Sequence, residues 1–167
     1  YDGTNWSATN AIIRGRGFLS GAGTTNAGVI FGGYVNAQNA CTEKWDGTSW
    51  SESGALSTGR YSMGGFGTQN AAVSAGGFNP SVSKSCTEEF NGSTWSSGGA
   101  SPTDRRKLAG AGQQNAFTAF GGGTVPAVTA VTDEYNGTSW ATGGNMNSGR
   151  SFLSGIGNAT SALAMGG

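Results

Sequence analysis

Short runs of alternating apolar and polar residues, interrupted by glycine or an Asn-Gly pair, occupy the whole chain. In the stretch that shows them best, residues 107–112 and 115–121 alternate large and small side chains across a short polar turn. Residues 131–135 alternate again, and an Asn-Gly turn leads into a further segment from Ser139 onward. A period of two is typical of β-strands, and no window has helical periodicity of useful length. The pattern therefore predicts four strands here, A to D, in an all-β protein.

One motif recurs four times at nearly constant spacing. It consists of an aromatic residue, Asp or Asn, Gly, two small polar residues and Trp, as in Trp45-Asp46-Gly47-Thr48-Ser49-Trp50. Its final tryptophans, which are 44, 45 and 45 residues apart, are Trp6, Trp50, Trp95 and Trp140. A repeat of this length indicates one supersecondary unit copied four times, which buries its apolar face only by stacking on its neighbours.

Further positions keep the same register, so we expect residues 1–167 to form a single domain or a segment of a longer chain. An arginine recurs at Arg16, Arg60, Arg105 and Arg150. An acid stands two residues before the motif aromatic at Glu43, Glu88 and Asp133. Glycine pairs close the units at Gly32-Gly33, Gly76-Gly77, Gly121-Gly122 and Gly166-Gly167.

Four short antiparallel strands in each unit, with no helix to cover a face, favour the blade of a β-propeller over a sandwich or a solenoid. Strand B of the first repeat carries apolar or small residues on both faces over positions 27–32, as a strand between two blades must. Glycines at alternate positions of strand A suit a narrow ring. We therefore predict a β-propeller of four-stranded antiparallel blades, built from four repeats of about 45 residues, with one blade split between the N- and C-termini.

The split blade leaves two possibilities for the ends of the array. If the ring closes within this chain, strands A and B near residues 149–167 pair with the N-terminal segment around Trp6. Otherwise the exposed strand edges make a homo-oligomer the expected form.

The charge balance excludes several classes of partner. Lys and Arg number nine, Asp and Glu nine, and the formal net charge is zero. The basic surface of a nucleic-acid-binding protein is therefore missing, as is a basic run or a long apolar stretch suited to a membrane. We expect neither nucleic-acid binding nor membrane insertion.

In the order of its fixed residues, the repeat resembles the kelch repeat. An arginine at strand A, a Gly-Gly pair after strand B, an aromatic followed by Asp or Asn after strand C and a Trp in strand D occur in kelch order, as at Arg60, Gly76-Gly77, Phe90-Asn91 and Trp95. The turn between strands C and D is shorter than in kelch repeats. In this Gly-rich form the chain also resembles kelch-like arrays of marine bacteriophage tail-fibre and virion proteins. The resemblance implies a galactose-oxidase-like propeller located on a virion or at the cell surface.

Catalysis is not expected. Galactose oxidase, the enzymatic relative of kelch propellers, needs imidazole copper ligands, and this chain contains no histidine. The motif is also similar to the sialidase Asp-box, but its spacing is one residue short. Paired acids such as Glu88-Glu89 and Asp133-Glu134 are neighbours on a strand and point to opposite faces, which is unsuitable for a glycosidase. We predict no catalytic residue, no metal ligand and no cofactor.

The fixed charges and tryptophans each allow two interpretations. The four arginines could form an anion-binding ring, but buried ions are almost always paired, which favours ion pairs with Glu43, Glu88 and Asp133. The tryptophans could stack on sugars, but their recurrence in every repeat favours packing between blades.

Sequence variation gathers on one side of the predicted ring. The B to C connections (34–40, 78–85 and 123–130) and the D to A connections (7–15, 51–58, 96–104 and 141–148) differ between repeats, and we call their side the variable loop face. The A to B and C to D turns are short and nearly identical, and they form the uniform turn face. Variable loops on a rigid scaffold usually carry recognition, although neutral drift explains the same pattern. The predicted binding residues are Tyr34, Asn36, Gln38, Phe78, Asn79 and Lys84.

The sequence thus predicts a non-catalytic recognition or structural module, part of a phage fibre or an extracellular surface protein, that binds a protein or glycan receptor through the variable loop face. A free-standing carbohydrate-binding lectin and a purely architectural spacer are the alternatives.

Overall fold

The structure, a computed structural model, describes residues 1–124 and 126–167. Over these residues the chain forms sixteen β-strands and no helix, so no helix that could span a membrane is found there. Sheet 1 contains β1 (Ser20–Thr24), β2 (Ala27–Phe31), β5 (Thr42–Trp45) and β6 (Trp50–Ser53), and β3 (Tyr34–Val35) pairs with β4 (Ala37–Gln38) in a separate small hairpin. Sheet 2 contains β7 (Gly64–Thr68), β8 (Ala71–Ala75), β9 (Thr87–Phe90) and β10 (Trp95–Ser97). Sheet 3 contains β11 (Ala109–Gln113), β12 (Ala116–Phe120), β13 (Thr132–Tyr135) and β14 (Trp140–Thr142). Sheet 4 contains β15 (Ser154–Asn158) and β16 (Ser161–Met165).

The predicted all-β class and the four-stranded antiparallel sheets are confirmed. In sheets 1 to 3 the strands lie in sequence order, and each strand pairs antiparallel with the next. The predicted start of strand A at Lys107 is two residues early. Lys107 has a φ of 58°, a left-handed conformation that a strand does not accommodate, and β11 begins at Ala109.

The recurring Asp-Gly or Asn-Gly motif makes a side-chain-capped turn. In the second copy Asp46 Oδ1 accepts hydrogen bonds from the backbone N–H groups of Thr48 and Ser49, both 2.8 Å long, and Gly47 has a φ of 97°. A short side-chain acceptor followed by glycine therefore closes the turn between β5 and β6. These two bonds lower the pKa of the exposed Asp46 carboxyl to about 2.

The first strands of successive sheets, β1, β7, β11 and β15, lie side by side. Glycine is needed for this approach: a Cβ built on Gly155 would be 2.4 Å from the carbonyl oxygen of Gly110 in the neighbouring sheet. The glycines of strand A, predicted to suit a narrow ring, thus occupy the contact between sheets.

Tryptophans join one sheet to the next. Trp95 of sheet 2 packs edge-on against Phe31 of sheet 1 at 4.8 Å between ring centroids, and its Nε1 donates a 2.9 Å hydrogen bond to Thr42 Oγ1. Trp140 of sheet 3 donates in the same way to Thr87 Oγ1 of sheet 2. Packing between repeats, the interpretation favoured by the sequence, is therefore present at these two tryptophans.

The two ends of the described chain depart from the predicted arrangement. The predicted packing role is wrong for Trp6, which is 86% exposed and contacts the Tyr1 ring. Sheet 4 has only β15 and β16, and no described N-terminal residue pairs with β16. The split blade is therefore not assembled among the described residues, where residues 1–6 form no strand. Ile156 and Leu163 of sheet 4 consequently stay 62% and 59% exposed.

Candidate functional site

The repeat arginines form buried ion pairs with the strand-C acids of their own sheets. Arg16 donates to Glu43, Arg60 donates to Glu88, and Arg105 Nη2 donates to Asp133 Oδ2 over 2.7 Å, with all six side chains at most 3% exposed. The expected pairing is therefore present at three repeats. These guanidinium groups consequently do not line an open anion-binding ring.

Each acid also anchors the connection that precedes its arginine. Glu43 accepts a 2.7 Å hydrogen bond from the backbone N–H of Ile13, and Glu88 accepts one of the same length from Ser57. Burial raises the pKa of the Glu43 carboxyl, but hydrogen bonds from Arg16 and Ile13 outweigh that effect, and the net pKa is lowered. The Glu43 carboxyl therefore stays charged, and Glu43 and Glu88 hold the bases of two D to A connections.

The expected pair is not formed at the fourth arginine. Arg150 contacts no acid among the described residues, and its Nη1 donates to the carbonyl oxygen of Gly166 at 3.2 Å. The Nε atom of Arg150 is buried, and no hydrogen-bond partner for it is found among the described residues. The reason is structural: sheet 4 has no third strand to supply the carboxylate.

A left-handed residue stands two positions after each repeat arginine, at the entrance to strand A. These residues are Phe18, Ser62, Lys107 and Phe152, with φ between 53° and 60°. Backbone hydrogen bonds link them across the sheets, from the N–H of Ser62 to the oxygen of Phe18, from Lys107 to Ser62 and from Phe152 to Lys107. The main chain thus fixes their positions, and all four side chains border one cavity of about 260 Å³.

An aromatic row crosses the first two repeats on the variable loop face. It consists of Tyr34, Tyr61 and Phe78, with centroid distances of 5.0 Å from Tyr34 to Tyr61 and 5.5 Å from Tyr61 to Phe78. The guanidinium carbon of Arg106, in the third repeat, lies 4.0 Å from the centroid of Phe78. Antiparallel bridges from Tyr61 to Phe78 and from Arg106 to Gly123 hold the backbones of this row. The row therefore joins three repeats through contacts between rings and one cation.

The structure brings some of the predicted binding residues together and separates others. Tyr34 and Phe78 meet through Tyr61, and Tyr34 is 40% exposed. Asn36 is exposed at the left-handed tip of the β3–β4 hairpin, with a φ of 57°, and Gln38 is exposed opposite Tyr34.

The other two predicted residues lie in the second B to C connection. Asn79 is engaged in a turn with Val82. Its Oδ1 accepts a hydrogen bond from the backbone N–H of Val82, and its own backbone N–H donates to the carbonyl oxygen of Val82. Lys84 is half-buried, and its backbone bonds to Gly77 and Arg105. Among the described contacts, neither the Asn79 nor the Lys84 side chain touches the aromatic row.

Four members of the face were missed by sequence reasoning. Tyr61 and Arg106 directly follow a repeat arginine, while Lys107 and Phe152 stand one position later, where Lys107 Nζ lies 4.0 Å from the Phe152 centroid. The sequence did carry a signal for two of these residues. The position directly after the repeat arginine differs in every repeat, being Gly17, Tyr61, Arg106 and Ser151. Gly17 is exposed and the other three residues are half-buried. Such variation beside an invariant element marks a position outside the core, which loop boundaries drawn before the arginine excluded.

Two cavities lie on this face, one lined by Phe78 and the other by Arg106. The larger, about 490 Å³, is lined by Phe78, Ser81, Val82, Ser83, Asp104 and Thr124. The smaller, about 210 Å³, is lined by Arg106 and Lys107 together with Gly123, Thr124, Ser151 and residues 126–128. Both therefore open beside the aromatic row.

Chemical groups suited to metal binding do not converge in the part of the chain that the structure describes, where no group of three or more Asp, Glu or Cys residues is found. The arrangement on the variable loop face offers aromatic surface, hydroxyls and cations, which are groups that bind ligands.

The chain was compared with protein-family models and with curated proteins, and neither search found a match.

Proposed function

We propose that this chain is a non-catalytic recognition module in which the sheets are successive blades of a kelch-like β-propeller. The lateral contact of β1, β7, β11 and β15 supports this arrangement, because the innermost strands of propeller blades pack around a common axis. In this arrangement the aromatic row and both cavities beside Arg106 belong to one exposed end of the array.

The observation that carries the proposal is the continuity of the aromatic row across repeats. Tyr34, Tyr61 and Phe78 come from two repeats and form one surface, which Arg106 extends into a third. These contacts are not required to hold neighbouring sheets together, because strand A and the tryptophans already join the sheets. Aromatic residues and arginine are the residues most enriched at the centres of binding sites. The partner we propose is therefore a protein or glycan receptor.

The location of the module follows from the resemblance of its repeats. The Gly-rich kelch-like arrays that it resembles occur in phage fibres, and we propose a place on a virion or an extracellular surface. The low charge of the chain agrees with a partner other than nucleic acid.

A glycan array and an array of surface proteins from candidate host cells test the proposal. Wild-type protein is compared with Tyr34→Ala, Tyr61→Ala and Phe78→Ala, and with Thr48→Ala on the uniform turn face as the matched control. Removing a central aromatic residue should weaken binding about tenfold or more. Thr48→Ala should leave binding unchanged, because Thr48 lies on the uniform turn face and the variant keeps the backbone N–H that donates to Asp46 Oδ1.

The melting temperature separates loss of binding from loss of fold. Tyr34 is exposed, so Tyr34→Ala should bind weakly and melt like the wild type. Binding that survives all three aromatic variants, or that Thr48→Ala abolishes, would contradict the proposal. A chain that binds nothing on either array would be a spacer.

A further inference from the structure

Two of the cations that form no ion pair among the described residues, Arg106 and Lys107, lie side by side at the smaller cavity. Arg16, Arg60 and Arg105 are paired in the interior, Arg14 bonds to Glu52, and Lys44 Nζ bonds to Asn70 and Gly92. Arg106 and Lys107 form no ion pair among the described residues, and both border the 210 Å³ cavity. Two adjacent cations at one cavity generate a positive potential, which attracts an anionic ligand but not a neutral one.

The two side chains are held in place before any ligand arrives. The Arg106 guanidinium lies on the Phe78 ring and the Lys107 ammonium on the Phe152 ring, each 4.0 Å from the centroid. Stacking on an aromatic face leaves the edge of a guanidinium free to donate in its plane. Such preorganisation lowers the entropy cost of binding.

The backbone under these cations is rigid as well. Arg106 exchanges hydrogen bonds with Gly123 through both its N–H and its carbonyl oxygen, at 3.1 and 3.0 Å. Lys107 donates to Ser62 and accepts from Phe152, at 2.7 and 3.0 Å. All four main-chain polar groups of the pair are therefore engaged, and the site is built on a fixed platform.

The acid on this face lies beside the other cavity. Asp104 is exposed and borders the 490 Å³ cavity with Phe78, while the smaller cavity is bordered by Arg106, Lys107 and the hydroxyl-bearing Thr124 and Ser151. An anion is consequently attracted to the smaller cavity and repelled from the larger. At about 210 Å³ the smaller cavity is below the ~300–1,000 Å³ of sites for drug-sized ligands, so it suits one sugar ring or one acidic group.

Resting on the proposed recognition function, we infer that the Arg106–Lys107 cavity is a subsite for a carboxylated sugar of an acidic glycan. The planar guanidinium edge matches a carboxylate, which accepts two parallel hydrogen bonds, and the ammonium adds a second charge. Thr124 and Ser151 supply hydroxyls for the remaining oxygens of a sugar ring. The aromatic row leads away from this subsite and carries the neighbouring residues of the glycan.

The repeats themselves provide the test variants. Arg106→Ser installs the residue found at the same register in the fourth repeat, Ser151, and Lys107→Ser installs that of the second repeat, Ser62. Both residues are therefore compatible with this backbone. Arg14→Gln removes an exposed cation that is paired with Glu52 and lies outside the cavity, and it serves as the control.

Calorimetric titration of the whole chain with a galacturonate oligosaccharide, and with the same oligosaccharide after its carboxyls have been reduced to alcohols, tests the inference. The acidic form should bind at least tenfold more tightly than the neutral form, and the preference should shrink with added salt. Arg106→Ser and Lys107→Ser should each remove about tenfold of that preference, and Arg14→Gln should keep it.

Three results would overturn the inference. Equal binding of both oligosaccharides would show that the face recognises sugars without reading charge, and the proposed function would stand. Binding of poly-glutamate in place of the galacturonate, lost in the same variants, would assign the cavity to an acidic peptide. Binding of neither anion would remove the subsite, whereas the proposed function is judged separately by the aromatic variants on the arrays.

Discussion

Arg105 Nη2 lies 2.7 Å from Asp133 Oδ2 in the interior of sheet 3, where the two side chains are 2% and 0% exposed. Arg105 also donates to the carbonyl oxygens of Val131 and Ala119, at 2.8 and 3.1 Å, and Asp133 accepts from Ser101 Oγ at 3.1 Å. Burial lowers the pKa of Arg105, and the Asp133 carboxylate opposes that shift. The pair thus connects the entrance of strand A, strand C and the preceding loop.

Arg105→Met should destabilise the protein by about 3–5 kcal/mol, because it leaves the Asp133 carboxylate buried without its counter-charge. Urea unfolding followed by tryptophan fluorescence measures the loss. The double variant Arg105→Met/Asp133→Leu should recover most of it, since neither charge then remains buried. Arg14→Gln, which breaks an exposed pair, should cost less than about 1 kcal/mol. An unchanged stability in Arg105→Met would show that the pair is not structural.

Stability should fall at alkaline pH through Tyr135. Burial and the hydrogen bond to Glu89 raise the pKa of the Tyr135 hydroxyl from its ordinary value of 10.0 to about 12. The contribution of this group is therefore complete below pH 10 and is lost as the pH rises towards about 12, because the unfolded chain releases the proton first.

Comparison with Tyr135→Phe isolates this contribution. The difference in the free energy of unfolding between wild type and variant should narrow between about pH 10 and 12, and tyrosinate absorbance should show one late-titrating tyrosine. A difference that is constant with pH would contradict the shifted pKa. Glu89→Gln should move the late titration back towards its ordinary range.

Gln114 should contribute to the adhesion of sheet 3 to sheet 2. Its Nε2 donates to the carbonyl oxygens of Ala72 at 3.1 Å and Phe90 at 2.8 Å. Gln114→Ala leaves both carbonyls without this donor and should cost about 1–3 kcal/mol in urea unfolding. Gln113→Ala, an exposed change one residue earlier, should cost less than about 0.5 kcal/mol. Equal effects of the two changes would argue against the bridge.

The open edge of β16 should make the protein associate. Leu163 and Met165 are 59% and 43% exposed on this strand, and no described strand pairs with its outer edge. Sedimentation should therefore show copies associating as concentration rises, and Leu163→Lys should weaken the association by placing a charge on the strand. Thr142→Lys, on the exposed final strand of sheet 3, is the matched control for added charge. A monomer at all concentrations would show that the edge is protected.

The sheets could be predicted because their determinants are local. The motif around Asp46 closes its turn with its own side chain, and the strands on either side follow from alternation. The pairing of Arg60 with Glu88 could also be expected, because opposite charges recur at fixed register in a chain with few charges.

The candidate site could be predicted only in part. Tyr34 and Phe78 were found because they follow the Gly-Gly pairs, but their link through Tyr61 depends on how two sheets are placed side by side. Arg106 and Lys107 were missed for the same reason, since each reaches an aromatic ring in a different repeat or connection. Contacts that cross repeats are set by the angle between sheets, which no local pattern encodes.

The hydrogen bonds that connect Phe18, Ser62, Lys107 and Phe152 have a consequence for how such a chain changes over generations. Because each bond joins main-chain atoms, it forms whichever side chain stands at this register. A duplicated or exchanged repeat brings its own connector and needs no compensating substitution in its neighbour. New combinations of ring, hydroxyl and cation on this face can therefore arise by recombination of whole repeats, at little risk to folding.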